Sequence, residues 1–360
     1  MFFNLIVLIY FMKLAEELTR KILSFDTRGG NEANLVYYLE TELEEIGLQT
    51  KILEHGDNRA SILAWTGALN KQKLAFNCHT DVVPYVHNYL YDQDDCIYAP
   101  GAVDTKKDIG PQLAVVKEMK DIPDGLVLAY DADEEYKNIG IKALHKYITA
   151  QQIVVNEPTN MQVHLGANGW TQIDVKTHGE QCHSNNSSEL NAPEKLIHLM
   201  NKIKNEGFKA EDEIFKKSKI AMQHFSTGTK EHIRVEETAN FFFTIAHNRN
   251  YDSREAVNKE MDRLIAELGY EGIYYEITDY DTSVYNPNSK LGEYMMKKFN
   301  LQKGIFFWWC NSQIFRDRDF VIFGMGDPLL CHTNYECVPK VQIEQSKEIY
   351  EKMILDLLKE

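Results

Sequence analysis

The sequence predicts an α/β protein: a domain with a mostly parallel sheet, into which a small α+β domain of order βαββαβ is inserted. Three observations carry this. Short apolar strands alternate with amphipathic helices from the start of the chain to about Val155. The pattern then changes near Gly169 to the order βαββαβ, which suits a small two-layer domain with an antiparallel sheet. After the Tyr285-Asn286-Pro287-Asn288 turn, the first style of patterning returns. At 360 residues the chain is also too long for one small core.

Taken in order, Lys13 to Leu23 and Asn31 to Ile46 have apolar residues three and four apart, which puts them on one helix face. Leu48 to Leu53, Ala60 to Trp65 and Lys73 to Cys78 read as strands. Ile109 to Met119 reads as a helix, Gly125 to Tyr130 as a strand, Gly140 to Thr149 as a helix and Ile153 to Val155 as a strand. Leu165 to Gly169 reads as a turn. The inserted domain has strand 171–177, helix 192–205, strands 218–225 and 240–246, helix 254–268 and strand 272–278. The return has helix 290–299, strands 305–309 and 320–324, and a terminal helix over 342–358. The expected domains are therefore 12–168 with 287–360, and 169–286.

Residues 1–11 stand apart. They are almost wholly apolar, with Asn4 the only clearly polar side chain. The stretch is shorter than the roughly 20 apolar residues of a membrane span, and it lacks the basic start of a signal peptide. The expectation is that translation begins at Met12. The alternative is an uncleaved apolar extension packed on the surface.

A net charge of −15 argues against nucleic acid as a partner, because phosphate contacts need clustered Lys and Arg. No membrane partner is expected either. The six cysteines show no CxxC spacing and read as free thiols of a cytoplasmic protein. Three of them precede a histidine: Cys78-His79, Cys182-His183 and Cys331-His332. A small, buried residue type before a histidine is the plain account. The sharper one is an oxidation-prone site.

The residues that carry chemistry gather after strands, where ligand groups collect in open α/β sheets. His79 closes the run Leu74-Ala75-Phe76, with Asp81 two residues on. Asp104 follows Gly101-Ala102-Val103. Glu134-Glu135 follows the next strand, Glu157-Pro158-Thr159 the one after, and His332 comes late. Each alone has a plain explanation as a loop residue or a solvated helix start. Their joint placement in order suggests a metal site, and imidazole with carboxylates suits zinc, manganese or cobalt.

The sequence resembles the co-catalytic zinc aminoacylase and exopeptidase family, which includes acetylornithine deacetylase, succinyl-diaminopimelate desuccinylase and related carboxypeptidases. His79-Thr80-Asp81, Gly101-Ala102-Val103-Asp104-Thr105-Lys106, Asp133-Glu134-Glu135, Glu157-Pro158-Thr159, His183 with Asn191-Ala192, Arg249 and His332-Thr333-Asn334-Tyr335-Glu336 carry the resemblance. It implies two divalent metal ions, zinc first, with cobalt or manganese as alternatives. Asp104 would bridge them. His79 and Glu157 would complete one ligand set, and Glu135 and His332 the other. Asp81 would orient His79, and Glu134 would be the general base. His183, on the inserted lid domain, would steady an oxyanion. Arg249 would bind a substrate carboxylate. A homodimer through the lid domain is also implied.

The implied activity is hydrolysis of the amide of a small N-acyl amino acid, with the acetylornithine and acetyl-lysine deacetylase branch as the best match. Rival readings are a di- or aminopeptidase, a desuccinylase, and a non-catalytic member; retention of every ligand and of Glu134 weighs against the last. Ala99-Pro100, Lys107, Ala246-His247-Asn248 and the stretch 308–318 depart from the family pattern. These departures bear on the substrate and leave the reaction class intact.

Overall fold

The computed structural model describes residues 14–186, 190–228 and 234–359. The start at Met12 and the apolar stretch before it lie outside the described residues. The chain forms two compact units. The first holds the residues up to Gly166, Asn286–Gly304 and Cys310–Glu360; the second holds Ala167–Tyr285 and Ile305–Trp309. The segment 305–309, expected with the returning chain, belongs to the second unit.

In the first unit the strand order is Gln49–Gly56, Arg59–Trp65, Leu126–Asp131, Leu74–His79, Gln152–Val155, Asp319–Ile322 and Val163–Ala167. Leu74–His79 runs parallel to both of its neighbours, and Asp319–Ile322 runs parallel to Gln152–Val155. The margins are antiparallel. Strands at the centre are joined through helices and must cross over, whereas the first two are joined by Asp57-Asn58 alone. Both turn residues have positive φ (+48° and +63°), which is the turn that suits the twist of a hairpin. Every side chain of Leu74–His79 and Leu126–Asp131 is buried, as expected of central strands covered on both faces. Burial of one such side chain, Phe76, contributes about 2 kcal/mol.

Two features differ from the expected pattern. Leu165 to Gly169 is mostly strand: Val163–Ala167 ends at Asn168, and Gly169–His178 begins at once. A hairpin of Tyr91–Gln93 and Cys96–Tyr98 was not anticipated. Asp94 and Asp95, at φ +50° and +59°, make its turn, and Cys96–Tyr98 pairs with Cys337–Pro339.

The second unit has an antiparallel sheet ordered Lys219–Thr227, Thr238–His247, Gly169–His178, Ile273–Asp281. Alternate residues Thr171, Ile173, Val175 and Thr177 are buried, and Ile173 and Val175 join Leu196, Leu199, Val257, Met261 and Leu264 of two helices in one core. Asn191 caps the helix Ala192–Glu206: its side chain accepts from Glu194 N–H at 2.9 Å, and Glu194 returns a bond to Asn191 N–H. The Asn191-Ala192 pair is thus a helix start.

Candidate metal centre

The first unit collects its candidate ligands at the carboxyl ends of its parallel strands, because those ends are where strand hands over to loop. His79 ends its strand level with Asp131 on the next one. Beneath them, Asn77 and Asn311 donate amide hydrogens to the Asp131 carboxyl at 2.6 and 3.0 Å. Asp131 is fully buried, and burial pushes its carboxyl up to about 7 against those amides. This polar layer steadies the strand ends. Asn77, an amide in an apolar strand two residues before His79, was its one visible sign in the sequence.

His79 is almost fully buried. Its Nε2 lies 3.0 Å from Asp104 Oδ1. Asp104 Oδ2 lies 3.2 Å from His332 Nε2, and that nitrogen is 2.9 Å from Glu135 Oε1. One carboxylate, Asp104, therefore faces two imidazoles from distant parts of the chain. Ligand atoms of His79, Asp104 and Glu135 all lie within 4.8 Å of one another and could hold a metal ion. His332 sits in the left-handed region at φ +61°, rare for a residue with a side chain, and Tyr85 packs edge-on beside its ring. The Asp104–Thr105 peptide is cis.

Asp81 differs in detail from the expected partner of His79. His79 Nδ1 is 3.2 Å from the Asp81 backbone carbonyl and 3.4 Å from its carboxylate. The two carboxylate oxygens instead accept the backbone N–H groups of Glu134 and Glu135, each at 3.1 Å. One residue thus holds the imidazole through its backbone carbonyl and the acidic pair through its carboxylate.

Glu336, which had no assigned role, does comparable work. One oxygen accepts from the N–H groups of Gly101, Val103 and Asp104 at 3.0 to 3.3 Å, and the other accepts from His332 N–H at 3.3 Å. It ties together the loops that carry Asp104 and His332. Its place in His332-Thr333-Asn334-Tyr335-Glu336 was the available signal.

Charge explains why this set suits a cation. Burial raises the Glu134, Glu135 and Glu157 carboxyls, and repulsion from neighbouring carboxylates raises them further. Burial opposes charge on His332, yet the Asp104 and Glu135 carboxylates raise it to about 12. Asp104, between two imidazoles, is held below the usual carboxylate range although burial opposes this. Hard oxygens with imidazole nitrogen are the donors of zinc, and the crowded carboxylates call for positive charge.

The other expected residues lie in the second unit or are less engaged. His183 is exposed, and its Nδ1 accepts from Asn185 N–H at 3.2 Å. Arg249 is part-exposed and pairs with Asp212 at 2.8 Å. Glu157 follows its strand and is buried. Of the Cys-His pairs, Cys78 is buried with its thiol against Thr105, while Cys182 and Cys331 are half-buried.

A model described as peptidase family M20/M25/M40 matches residues 75–356. The chain belongs to this family. Among curated relatives, it is 28% identical over 177 residues to a peptidase M20 domain-containing protein of Schizosaccharomyces pombe, covering 46% of this chain and 44% of that one. It is 25% identical over 277 residues to a succinyl-diaminopimelate desuccinylase of Wolbachia sp. subsp. Brugia malayi, covering 69% and 68%. The chain thus spans less than half of the yeast relative and about two thirds of the other. Among solved structures, a tripeptidase from Staphylococcus aureus matches with a TM-score of 0.76 at 18% identity, covering 95% of this chain and 98% of that one. That likeness shows the fold. The donors of the His79-Asp104-Glu135 cluster suit a divalent metal ion such as zinc. Among the described residues, no helix is long and apolar enough to cross a membrane.

Proposed function

We propose that the protein hydrolyses the amide bond of a small N-acyl amino acid, with an N-acetyl compound such as N-acetylornithine as the first substrate to try. The observation that carries this reading is Asp104 facing His79 and His332 at 3.0 and 3.2 Å, with the Glu134-Glu135 pair held beside it. His79, Asp104 and Glu157 would hold one ion, and Asp104, Glu135 and His332 the other. Bound there, divalent metal would polarise the amide carbonyl and acidify a water. Glu134 accepts a proton from that water as its oxygen attacks the carbonyl carbon. Its carboxyl holds the proton until the C–N bond breaks. The proton then passes to the leaving nitrogen. Asp81, through the N–H groups of Glu134 and Glu135, keeps base and ligand in register. The roles of His183 and Arg249 rest on the resemblance alone.

A second reading, removal of a succinyl group, is supported by the relatives named succinyl-diaminopimelate desuccinylase. Metal-loaded protein should be assayed against N-acetylornithine, N-acetyl-lysine, N-acetylcitrulline, N-succinyl-diaminopimelate and dipeptides, with bound metal counted in parallel. Turnover is expected on an N-acetyl compound. Turnover of the succinyl compound alone selects the second reading, and hydrolysis of dipeptides alone sinks both.

A further inference from the structure

Two cysteines far apart in the chain, both free thiols, meet on one short ribbon. Cys96–Tyr98 runs antiparallel to Cys337–Pro339, which sets Cys337 opposite Tyr98, Val338 opposite Ile97 and Pro339 opposite Cys96. Successive side chains of a strand point to opposite faces. Ile97 and Val338 turn inward and are fully buried, so Cys96, Tyr98 and Cys337 share the outer face, where each is half-buried. Ala99 N–H donates to the Glu336 carbonyl at 3.3 Å, and Lys340 N–H to the Asp95 carbonyl at 2.9 Å. Tyr98 with Cys337 and Cys96 with Pro339 are therefore the non-hydrogen-bonded pairs of the ladder, in which side chains stand closest. Cys96 and Cys337 are diagonal neighbours across these two pairs. Their thiols hydrogen-bond, and Cys337 also meets the Tyr98 hydroxyl. Burial, with Cys337 beside it, raises the Cys96 thiol, as expected of two sulfurs in contact.

The ribbon leads directly into the loops of the candidate metal centre. Glu336, the residue before Cys337, accepts the N–H groups of Gly101, Val103, Asp104 and His332. The other strand ends at Tyr98, three residues before Gly101. A bond between the two sulfurs would tie together the segments that enter this clasp from both sides. Diagonal partners lie near the upper limit of disulfide reach, and an exposed, stretched bridge is the kind that opens again easily.

We propose that Cys96 and Cys337 form a reversible oxidation site: a dithiol that reacts with a small-molecule disulfide and, once closed, pins the Glu336 clasp. One cysteine thiolate attacks a sulfur of the small disulfide, and one small thiolate leaves. The second cysteine, as thiolate, attacks the mixed disulfide, and the other small thiolate leaves. Two electrons pass from the cysteine pair to the small disulfide, and the two cysteine protons end on the two released thiols.

The test equilibrates the full chain with oxidised and reduced glutathione at set ratios, blocks the remaining thiols and maps peptides by mass spectrometry, beside Cys96→Ser and Cys337→Ser. Oxidised wild type should yield a peptide joining Cys96 to Cys337, and excess reductant should part it. Each variant should instead carry one glutathione on its remaining cysteine of the pair. Amide hydrogen exchange at Gly101, Val103, Asp104 and His332 should slow by about tenfold in oxidised wild type and stay unchanged in the variants. Glutathione on either thiol of wild type without a bridge, or a bridge to any other cysteine, overturns the site. A Cys96–Cys337 bridge that leaves amide exchange unchanged overturns its hold on the clasp. None of these readouts needs metal or turnover, so they are independent of the proposed function.

Discussion

Glu134 and Glu135 are adjacent, yet only Glu135 touches an imidazole, 2.9 Å from His332. In the proposed mechanism that difference separates a ligand from a base. Glu134→Gln is expected to bind as much metal as wild type and to lose turnover by about 10²- to 10⁴-fold. Metal analysis beside steady-state kinetics checks it, and a variant of wild-type rate removes Glu134 from the mechanism. Glu32 offers a separate test. It is fully buried, and neither carboxyl oxygen has a hydrogen-bond partner among the described residues. Burial, with help from Asp81, raises its carboxyl from an ordinary 4.5 to about 7. The unfolded carboxyl ionises first as pH rises, so this contribution to stability is complete below about 4.5 and is lost through about 7. Glu32→Gln should therefore match wild type near pH 4.5 and exceed it by roughly 3 kcal/mol at pH 8. Melting curves across that range that stay parallel for the two proteins would contradict it. The candidate ligands were legible because their motifs lie in order along the chain. Glu32 was not, since nothing in a sequence shows which carboxyl lacks partners.

At the scale of elements, ligand positions depend on how strand ends are tied. Glu336 accepts four backbone N–H groups from two loops that are far apart in sequence. Removing it leaves those donors buried without an acceptor, at about 1–3 kcal/mol for each one that water cannot reach. Glu336→Ala should lower the melting temperature and speed loss of metal to a chelator, and Glu336→Gln should restore part of both. Equal metal loss in wild type and Glu336→Ala would show that the clasp does not hold the ligands. Most helices and strands were visible as apolar periodicity. The hairpin 91–98 was overlooked because its strands are short and half-exposed, although Asp94-Asp95 is a turn pair that tolerates positive φ. Leu165–Gly169 was misjudged because its two glycines read as a turn, whereas strand pairing overrides that local preference.

Across the whole molecule, a centre of mutually repelling carboxylates couples metal to stability. Chelation should abolish activity and lower the melting temperature, and metal should restore both in a concentration-dependent way. At free metal 100-fold above the dissociation constant, the gain is about 2.7 kcal/mol. Calorimetry with and without chelator checks this; a melting temperature that does not move as metal leaves would mean the carboxylates are satisfied without it.

The sequence by itself determined the layered α/β architecture, the inserted βαββαβ pattern and the residue types of the metal centre, because periodicity and motif order are local properties. Tertiary structure decided the rest. It set Asp104 between His79 and His332, turned the Asp81 carboxylate toward the Glu134 and Glu135 backbone, and made Glu336 a tie between loops. It also sealed Lys107 beside Asp108. Each of these depends on distances between segments far apart in the chain, and the worth of each charge depends on burial, which no single segment specifies.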